Sequence, residues 1–386
     1  MKILLVGNHN QDSVHSLSME LFARVLYTGL LEVGHEAIWA RPKPHAWARV
    51  ADKPGWGKCA KYLDQFVGFP APLRKLEDWA DVVHVTDHSN APLLSFLSGK
   101  PALVTCHDVI GIKRALGCYR EERARWSGKI LQSWTMANLR RADRIACVSA
   151  NVASEIGELA DIDADRLRVV HNGLNYPFCP MAREDADRQL AELGLPLDRP
   201  FVLHVGSDEW KKNRRGVAEI FVELKKLNYP AAGHLVFVGA PPNAELQGYL
   251  DREGVAHAVS AHGHLSSETL RALYSRAALF LFPSLYEGFG WPIVEAQACG
   301  ALVATSDREP MREVGGGGAI HIDPENPRAA ALAIAGLSEA EREALRLRGV
   351  ANARWYSPEA MLAGYEAQYR ALLESTGKSS VFRSAA

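Results

Sequence analysis

Short apolar runs recur along the chain, separated by helix-length stretches of mixed polarity. In the first half they are Ile3 to Val6, Ala37 to Trp39, Val82 to Val85, Ala102 to Thr105, Arg144 to Val148 and Leu167 to Val170. Each is too short for a buried helix and nearly continuous in apolar side chains, as a strand covered on both faces must be. Strands that alternate with helices pair in parallel, because the helix carries the chain back across the sheet. The rhythm then restarts with Phe201 to Gly206, Leu235 to Gly239, Val259 to His262, Leu279 to Phe282, Leu302 to Thr305 and Ala319 to Ile322. The pattern predicts an α/β protein built from two doubly wound parallel domains. Ligands of such sheets sit beyond the carboxyl ends of the strands, so the active site is expected in a cleft where the two domains face one another.

The boundaries follow from the breakers. Residues 1–176 are expected as the first domain and 201–356 as the second, with 177–200 a linker interrupted by Pro177, Pro180, Pro196 and Pro200. Ser357 and Pro358 open a predicted helix over 357–374, whose Met361, Leu362, Tyr365, Tyr369 and Leu372 make an apolar stripe. The tail 375–386 is small and polar, which predicts disorder.

Composition narrows the classes. A chain of 386 residues is long for one core. A net charge of −1 exerts no overall pull toward nucleic acid. Six scattered cysteines without a Cys-x-x-Cys pair suggest neither a zinc knuckle nor a disulfide framework, and point to a reducing, cytoplasmic setting. Met1 to Gly7 reads as a first strand, not a signal peptide, and no apolar run approaches the ~20 residues of a membrane span. Membrane contact would be peripheral, at the inner face. Between Lys113 and Arg144 basic residues outnumber acidic ones, with Trp126 and Trp134 among them. That segment could lie on an anionic membrane surface, or be a solvated helix face over buried tryptophans.

The densest chemistry lies at Glu287-Gly288-Phe289-Gly290-Trp291-Pro292-Ile293-Val294-Glu295. Two glycines keep Glu287 on a loop, and Pro292 suits the first position of a helix that runs to Gly300 with Glu295 in its first turn. A helix start attracts anions through its unpaired amides and dipole. Following the strand Leu279 to Phe282, this is a ligand-binding crossover; the plainer alternative is a solvated loop carboxylate and an ordinary charge near a helix start. A second glycine turn, Val205 to Arg215, follows another strand and carries Lys211, Lys212, Arg214 and Arg215. In the first half, Thr105-Cys106-His107-Asp108 ends a strand, as does His84-Val85-Thr86-Asp87-His88. The spacing of His84, Asp87 and His88 could hold a divalent metal, but His84 falls inside the strand, so a structural or acceptor-side role is favoured and no metal is expected.

The stretch Phe282 to Glu295, with Gly300 and Ala304 to Asp307, resembles the signature of the retaining family 4 glycosyltransferases. The resemblance implies the GT-B fold: two Rossmann-like domains, with a last helix crossing back onto the first. It implies that Glu287 contacts the hydroxyls of a donor sugar and Glu295 those of the ribose. The backbone of Gly288, Phe289 and Gly290 would cradle sugar and diphosphate. Gly206 and Lys212 match the family's glycine loop and its diphosphate-gripping lysine. Ser207 stands where an arginine is frequent, so Lys211 or Arg214 would supply a second cation. His264 and Leu265 match the base pocket, and His107 matches a histidine near the reacting face of the sugar. His107, Glu287 and Lys212 are therefore the expected catalytic residues.

The first loop, Gly7 to Ser16, departs from the family's glycine pair. Its Asn8 and Ser13, with Asp87 and His88, are the acceptor-side candidates. The implied activity moves a hexose from a nucleotide sugar, GDP-mannose ahead of a UDP-hexose, to a saccharide or lipid-linked saccharide, without a cofactor. A noncatalytic GT-B protein that binds a sugar nucleotide or glycan is the alternative.

Overall fold

The computed structural model describes residues 1–9, 17–50, 56–97, 99–119 and 124–375. Ser13 and the tail 376–386 lie outside the described residues. The chain divides into two compact units, one of residues 1–175 with 358–386 and the other of residues 176–357.

Each unit is built on a six-stranded sheet whose strands all pair in parallel. The first contains β1 (Lys2–Val6), β2 (Glu36–Ala40), β3 (Val82–Val85), β4 (Ala102–Cys106), β5 (Arg144–Cys147) and β6 (Leu167–Val169), in the order β2-β1-β3-β4-β5-β6. The second contains β7 (Phe201–Val205), β8 (His234–Val238), β9 (Val259–His262), β10 (Leu279–Phe282), β11 (Val303–Ser306) and β12 (Ala319–Ile322), in the order β12-β11-β10-β7-β8-β9. Every apolar run read from the sequence is one of these strands. Central strands such as β3, β4 and β10 are buried along their whole length, which is why they show no polar alternation.

Both sheets reverse direction once. The first grows from β1 to β2 and then crosses to β3 on the other side of β1; the second grows from β7 through β9 and then crosses to β10 on the other side of β7. The loops leaving the two strands at such a reversal splay apart and open a crevice. The pair of loops is 7–9 and 86–90 in the first unit, and 206–213 and 283–290 in the second.

The last helix, Pro358–Ser375, belongs to the first unit, and its predicted stripe is the buried face. Tyr369 and Tyr365 reach the sheet through a closed polar network. His84 Nδ1 pairs with the Tyr369 hydroxyl at 2.7 Å, His84 Nε2 with Thr105 Oγ1 at 2.8 Å, and Thr105 Oγ1 with the Tyr365 hydroxyl at 3.0 Å. Burial depresses the His84 pKa to about 3, so the ring is neutral and both nitrogens are engaged inside the fold. His84 is thus a structural residue, and the metal triad suggested by spacing loses a member. The segment expected as a linker, 177–200, is folded instead. It carries the helix Arg183–Leu190, which buries Ala186 and Leu190, and Asp187 accepts from Arg276 Nε at 2.5 Å. Prolines there mark the helix ends, not an extended connection.

Candidate active site

The site of the second unit begins where β7 and β8 end. A Cβ at Gly206 would lie 2.8 Å from His204 Nε2, and one at Gly239, where φ is +139°, would lie 2.3 Å from the Gly206 carbonyl. Only glycines let these two turns stack backbone on backbone. From Gly206 the chain runs through a 3₁₀ turn, Trp210–Lys212, into Asn213, which adopts a left-handed conformation with φ of 50°. Asn213 holds the loop in place. Its Nδ2 donates to the carbonyls of Pro283 and Pro324, each at 3.0 Å, and its Oδ1 caps the helix Arg214–Lys226 at the Gly216 amide. The Leu285 amide adds a bond to the Lys211 carbonyl at 2.7 Å. The loops after β7 and β10 are therefore one rigid assembly. In the sequence Asn213 shows only as a cap residue directly before a helix, and its clamping bonds appear only in the fold.

This clamp brings Lys212 to Glu287. The ammonium lies 2.8 Å from Oε1 and 3.0 Å from Oε2, centred on the carboxylate, and sits 5.3 Å over the Phe282 ring. Both side chains are largely buried, so the pair is held by low local dielectric as well as by geometry. Lys211, about as buried as Lys212, pairs with Glu209 at 3.1 Å. Arg214 turns into the fold, stacked 4.5 Å over Phe237 with Asp208 at 3.5 Å, and burial lowers its pKa. Of the two candidates for a second cation, Arg214 is thus the one drawn into the fold.

The helix Trp291–Ala298 starts from Gly290, whose φ of 101° makes the turn out of the loop. The start falls one residue before Pro292, so Glu295 is the fifth residue and lies in the second turn, not the first as the sequence suggested. It is buried and accepts a hydrogen bond from the Tyr274 hydroxyl at 2.9 Å on Oε2. Burial raises the Glu295 pKa to about 7, against the opposing pull of Tyr274 and of the Lys212 charge. Lys212 thus faces both carboxylates, one as a contact and the other through its field. The Phe289 ring packs edge-on against Trp291 and Tyr356, which anchors the Gly288 to Gly290 backbone while its own face is occupied. His264, exposed, and Leu265, half-buried, follow the edge strand β9 with β8 between them and β7. They are on the same end of the sheet but outside the Lys212 cluster.

In the first unit a second cluster occupies the reversal between β1 and β3. Asn8 Nδ2 donates to Asp87 Oδ2 at 2.8 Å, Asn90 Nδ2 donates to Asn8 Oδ1, and the Ser89 amide donates to Asp87 Oδ1 at 2.9 Å. His88 Nδ1 stands 3.5 Å from Asp87 Oδ1. Burial pushes the Asp87 pKa up, but His88, His107, Asn8 and Ser89 together outweigh it, and the net shift is downward. His107 leaves β4 beside this cluster, its ring edge-on to Phe22 at 4.7 Å. Its Nε2–H donates to the Thr86 carbonyl at 2.9 Å, which leaves the buried Nδ1 with its lone pair unpartnered. Burial lowers the His107 pKa despite the nearby Asp87 charge, so the ring is a neutral acceptor. The structure groups Asn8, Asp87, His88 and His107 in one unit, and Gly206, Lys211, Lys212, Glu287 and Glu295 in the other.

Two units, each a parallel sheet with polar side chains at its strand reversal, are the architecture of a GT-B protein. Comparison with known proteins agrees. The description "Glycosyltransferase Family 4" matches residues 19–176 and "Glycosyl transferases group 1" matches residues 185–354. The chain belongs to this family of retaining glycosyltransferases. It is 29% identical over 265 residues to O-antigen chain mannosyltransferase B of Escherichia coli, covering 67% of either chain. It is 25% identical over 330 residues to the serotype-specific mannosyltransferase WbdA of Escherichia coli, covering 81% of this chain and 38% of WbdA, so it spans about two fifths of that relative's length. Among solved structures, Anabaena HepE in complex with UDP and glucose superposes with a TM-score of 0.70 at 16% identity, covering 95% of this chain and 99% of HepE, which shows the shared fold. Among the described residues no helix is long and apolar enough to cross a membrane.

Proposed function

We propose that the chain transfers a hexose, mannose from GDP-mannose, to a saccharide or lipid-linked saccharide during assembly of a surface glycan. The observation that carries this reading is the Lys212 ammonium paired with Glu287, its charge also felt by the buried Glu295, at the reversal of the second sheet. Breaking a bond from sugar to diphosphate builds negative charge on the departing phosphate, and a preorganised cation in a dry site stabilises it where water would have to reorganise. Glu287 would keep Lys212 aimed and take the hydroxyls of the sugar; Glu295 would take those of the ribose. Mannose is favoured over other hexoses by the mannosyltransferase relatives, and a UDP-hexose is the donor against which it must be tested. Asn8, Asp87, His88 and the free Nδ1 of His107 supply neutral and anionic acceptors of hydrogen bonds, which suits hydroxyl groups of an acceptor and of the sugar. Free cysteines at Cys59, Cys118 and Cys179 on the exterior fit a reducing, cytoplasmic setting.

The test is turnover with GDP-mannose, UDP-glucose and UDP-galactose in the presence of saccharide and lipid-linked saccharide acceptors, with the anomeric configuration of the product read by NMR. Retention with GDP-mannose is expected. Turnover confined to a UDP-hexose would correct the donor, and binding of a sugar nucleotide without transfer to any acceptor would favour a noncatalytic protein.

A further inference from the structure

The first unit exposes large apolar side chains on two neighbouring elements. One is the helical segment Gly57–Leu63 with its π-turn Asp64–Gly68, where Tyr62, Leu63 and Val67 face outward, Val67 at 71% exposure, and Trp56 precedes it. The other is the helix Trp126–Leu139, which buries Thr135, Asn138 and Leu139 and turns Trp126, at 76% exposure, and Ile130 outward. Aromatic contacts join the two elements: Phe66 and Trp134 lie 5.0 Å apart, and Tyr62 and Phe66 6.0 Å apart. Trp134 is one turn from Ile130 and Phe66 is adjacent to Val67, so the exposed groups lie along the two sides of a single joint. A folded protein in water rarely leaves so many large apolar groups together on its surface.

The charge around the joint is positive. Arg125 and Lys129 are exposed beside Trp126 and Ile130. Arg74, also exposed, donates from Nε to the Phe96 carbonyl at 2.8 Å, and the Phe96 ring touches Trp134 at 6.3 Å. The acidic residue of the first segment, Asp64, is turned inward, where it accepts from the amides of Ala46 at 2.7 Å and Trp47 at 2.9 Å. Apolar side chains flanked by Arg74, Arg125 and Lys129, with the Asp64 carboxylate withdrawn into the fold, complement an anionic bilayer; tryptophan in particular settles at the headgroup level.

We propose that this face docks the first unit on an anionic membrane surface, with Val67, Trp126 and Ile130 entering the headgroup region. The same segment that offers Val67 to lipid sends Gln65 inward to Asn90, the partner of Asn8 in the first-unit cluster. Lipid face and polar cluster are opposite sides of one helical turn, so a lipid-linked acceptor held in the bilayer would present its saccharide within reach of Asn8 and Asp87. That last point rests on the proposed function; docking itself does not.

The experiment is co-sedimentation of the full chain, without donor or acceptor, with vesicles of phosphatidylglycerol and phosphatidylcholine in equal parts, and with vesicles of phosphatidylcholine alone. Binding to the anionic vesicles is expected, weakening as salt rises. The pair Val67→Ser with Ile130→Ser should reduce it at least about tenfold, since each removes apolar area from the lipid contact. Lys129→Glu should reduce it severalfold through charge alone. Circular dichroism melts of each variant establish folding, and these surface positions should leave the melt unchanged. Equal binding to both vesicle types, no binding to either, or binding indifferent to the variants would overturn the proposal. So would loss of the patch's exposure through a concentration-dependent dimer seen by light scattering. Because no sugar nucleotide enters the assay, a failed transferase reading would leave this result standing, and the reverse.

Discussion

Each parallel sheet reverses direction once, the first after two strands and the second after three, and the two reversals carry different chemistry. At the second, between β7 and β10, Lys212 faces Glu287 and Glu295, and Asn213 ties both loops together. At the first, between β1 and β3, two amides and Asp87 bond to one another, and no ammonium or guanidinium takes part in the bonds described there. A diphosphate needs a cation; an acceptor hydroxyl needs hydrogen-bond partners of modest strength. Under the proposed function, the contrast assigns the diphosphate to the second reversal and acceptor hydroxyls to the first, through the residues on their loops.

The largest expected effect tests the cation. Lys212→Ala should lower kcat by about 10²- to 10³-fold, the usual cost of removing one preorganised charge from a dry site, and it also leaves Glu287 buried without its partner. Lys212→Arg should recover part of that loss. Equal turnover by wild type and Lys212→Ala would remove the distinction between the two reversals. The first reversal should behave otherwise: Asp87→Asn is expected to raise the acceptor KM about tenfold while donor affinity, read by calorimetry, stays within twofold. A matching loss of donor affinity would mean that the cluster serves both ligands.

Glu295 offers a sharper reading through pH. Its folded pKa of about 7 lies above the ordinary carboxylate value of 4.5, so the folded state binds the proton more tightly than the unfolded chain does. Stability from this group is full at low pH and is lost as pH rises from about 4.5 through 7. Glu295→Gln abolishes that loss. The variant should match wild type near pH 4 and exceed it above pH 8 by up to about 3 kcal/mol, as melts across the range would show. A constant difference at every pH would place the ionisation elsewhere. The smallest effect is expected from Tyr274→Phe, which removes the hydroxyl donated to Glu295 at a cost of about 1 kcal/mol in donor binding.

Much of this was legible in the chain. Twelve strands were readable because a parallel sheet covered on both faces must be apolar along its length, and the glycines around Glu287 announced a loop for steric reasons that hold in any context. The stripe of Met361, Tyr365 and Tyr369 declared a buried helix face by its period. What local pattern could not supply was partnership. Pro180 and Pro196 read as a linker, yet the helix between them is held by Asp187 and Arg276, whose contact spans 89 residues of sequence.

His84 shared a metal-like spacing with Asp87 and His88, but Tyr369, 285 residues away, claims one of its nitrogens. Glu295 looked like a charge at a helix start; burial in the core made it an acid with a pKa near neutrality, against the pull of the Tyr274 hydroxyl. Strand content, turns and the residue types of the site were set by local sterics and by the period of apolar positions. Which carboxylate is paired, which is desolvated and which histidine is left with a free nitrogen depended on distances that only the folded chain creates, because burial and field strength have no value until distant segments meet.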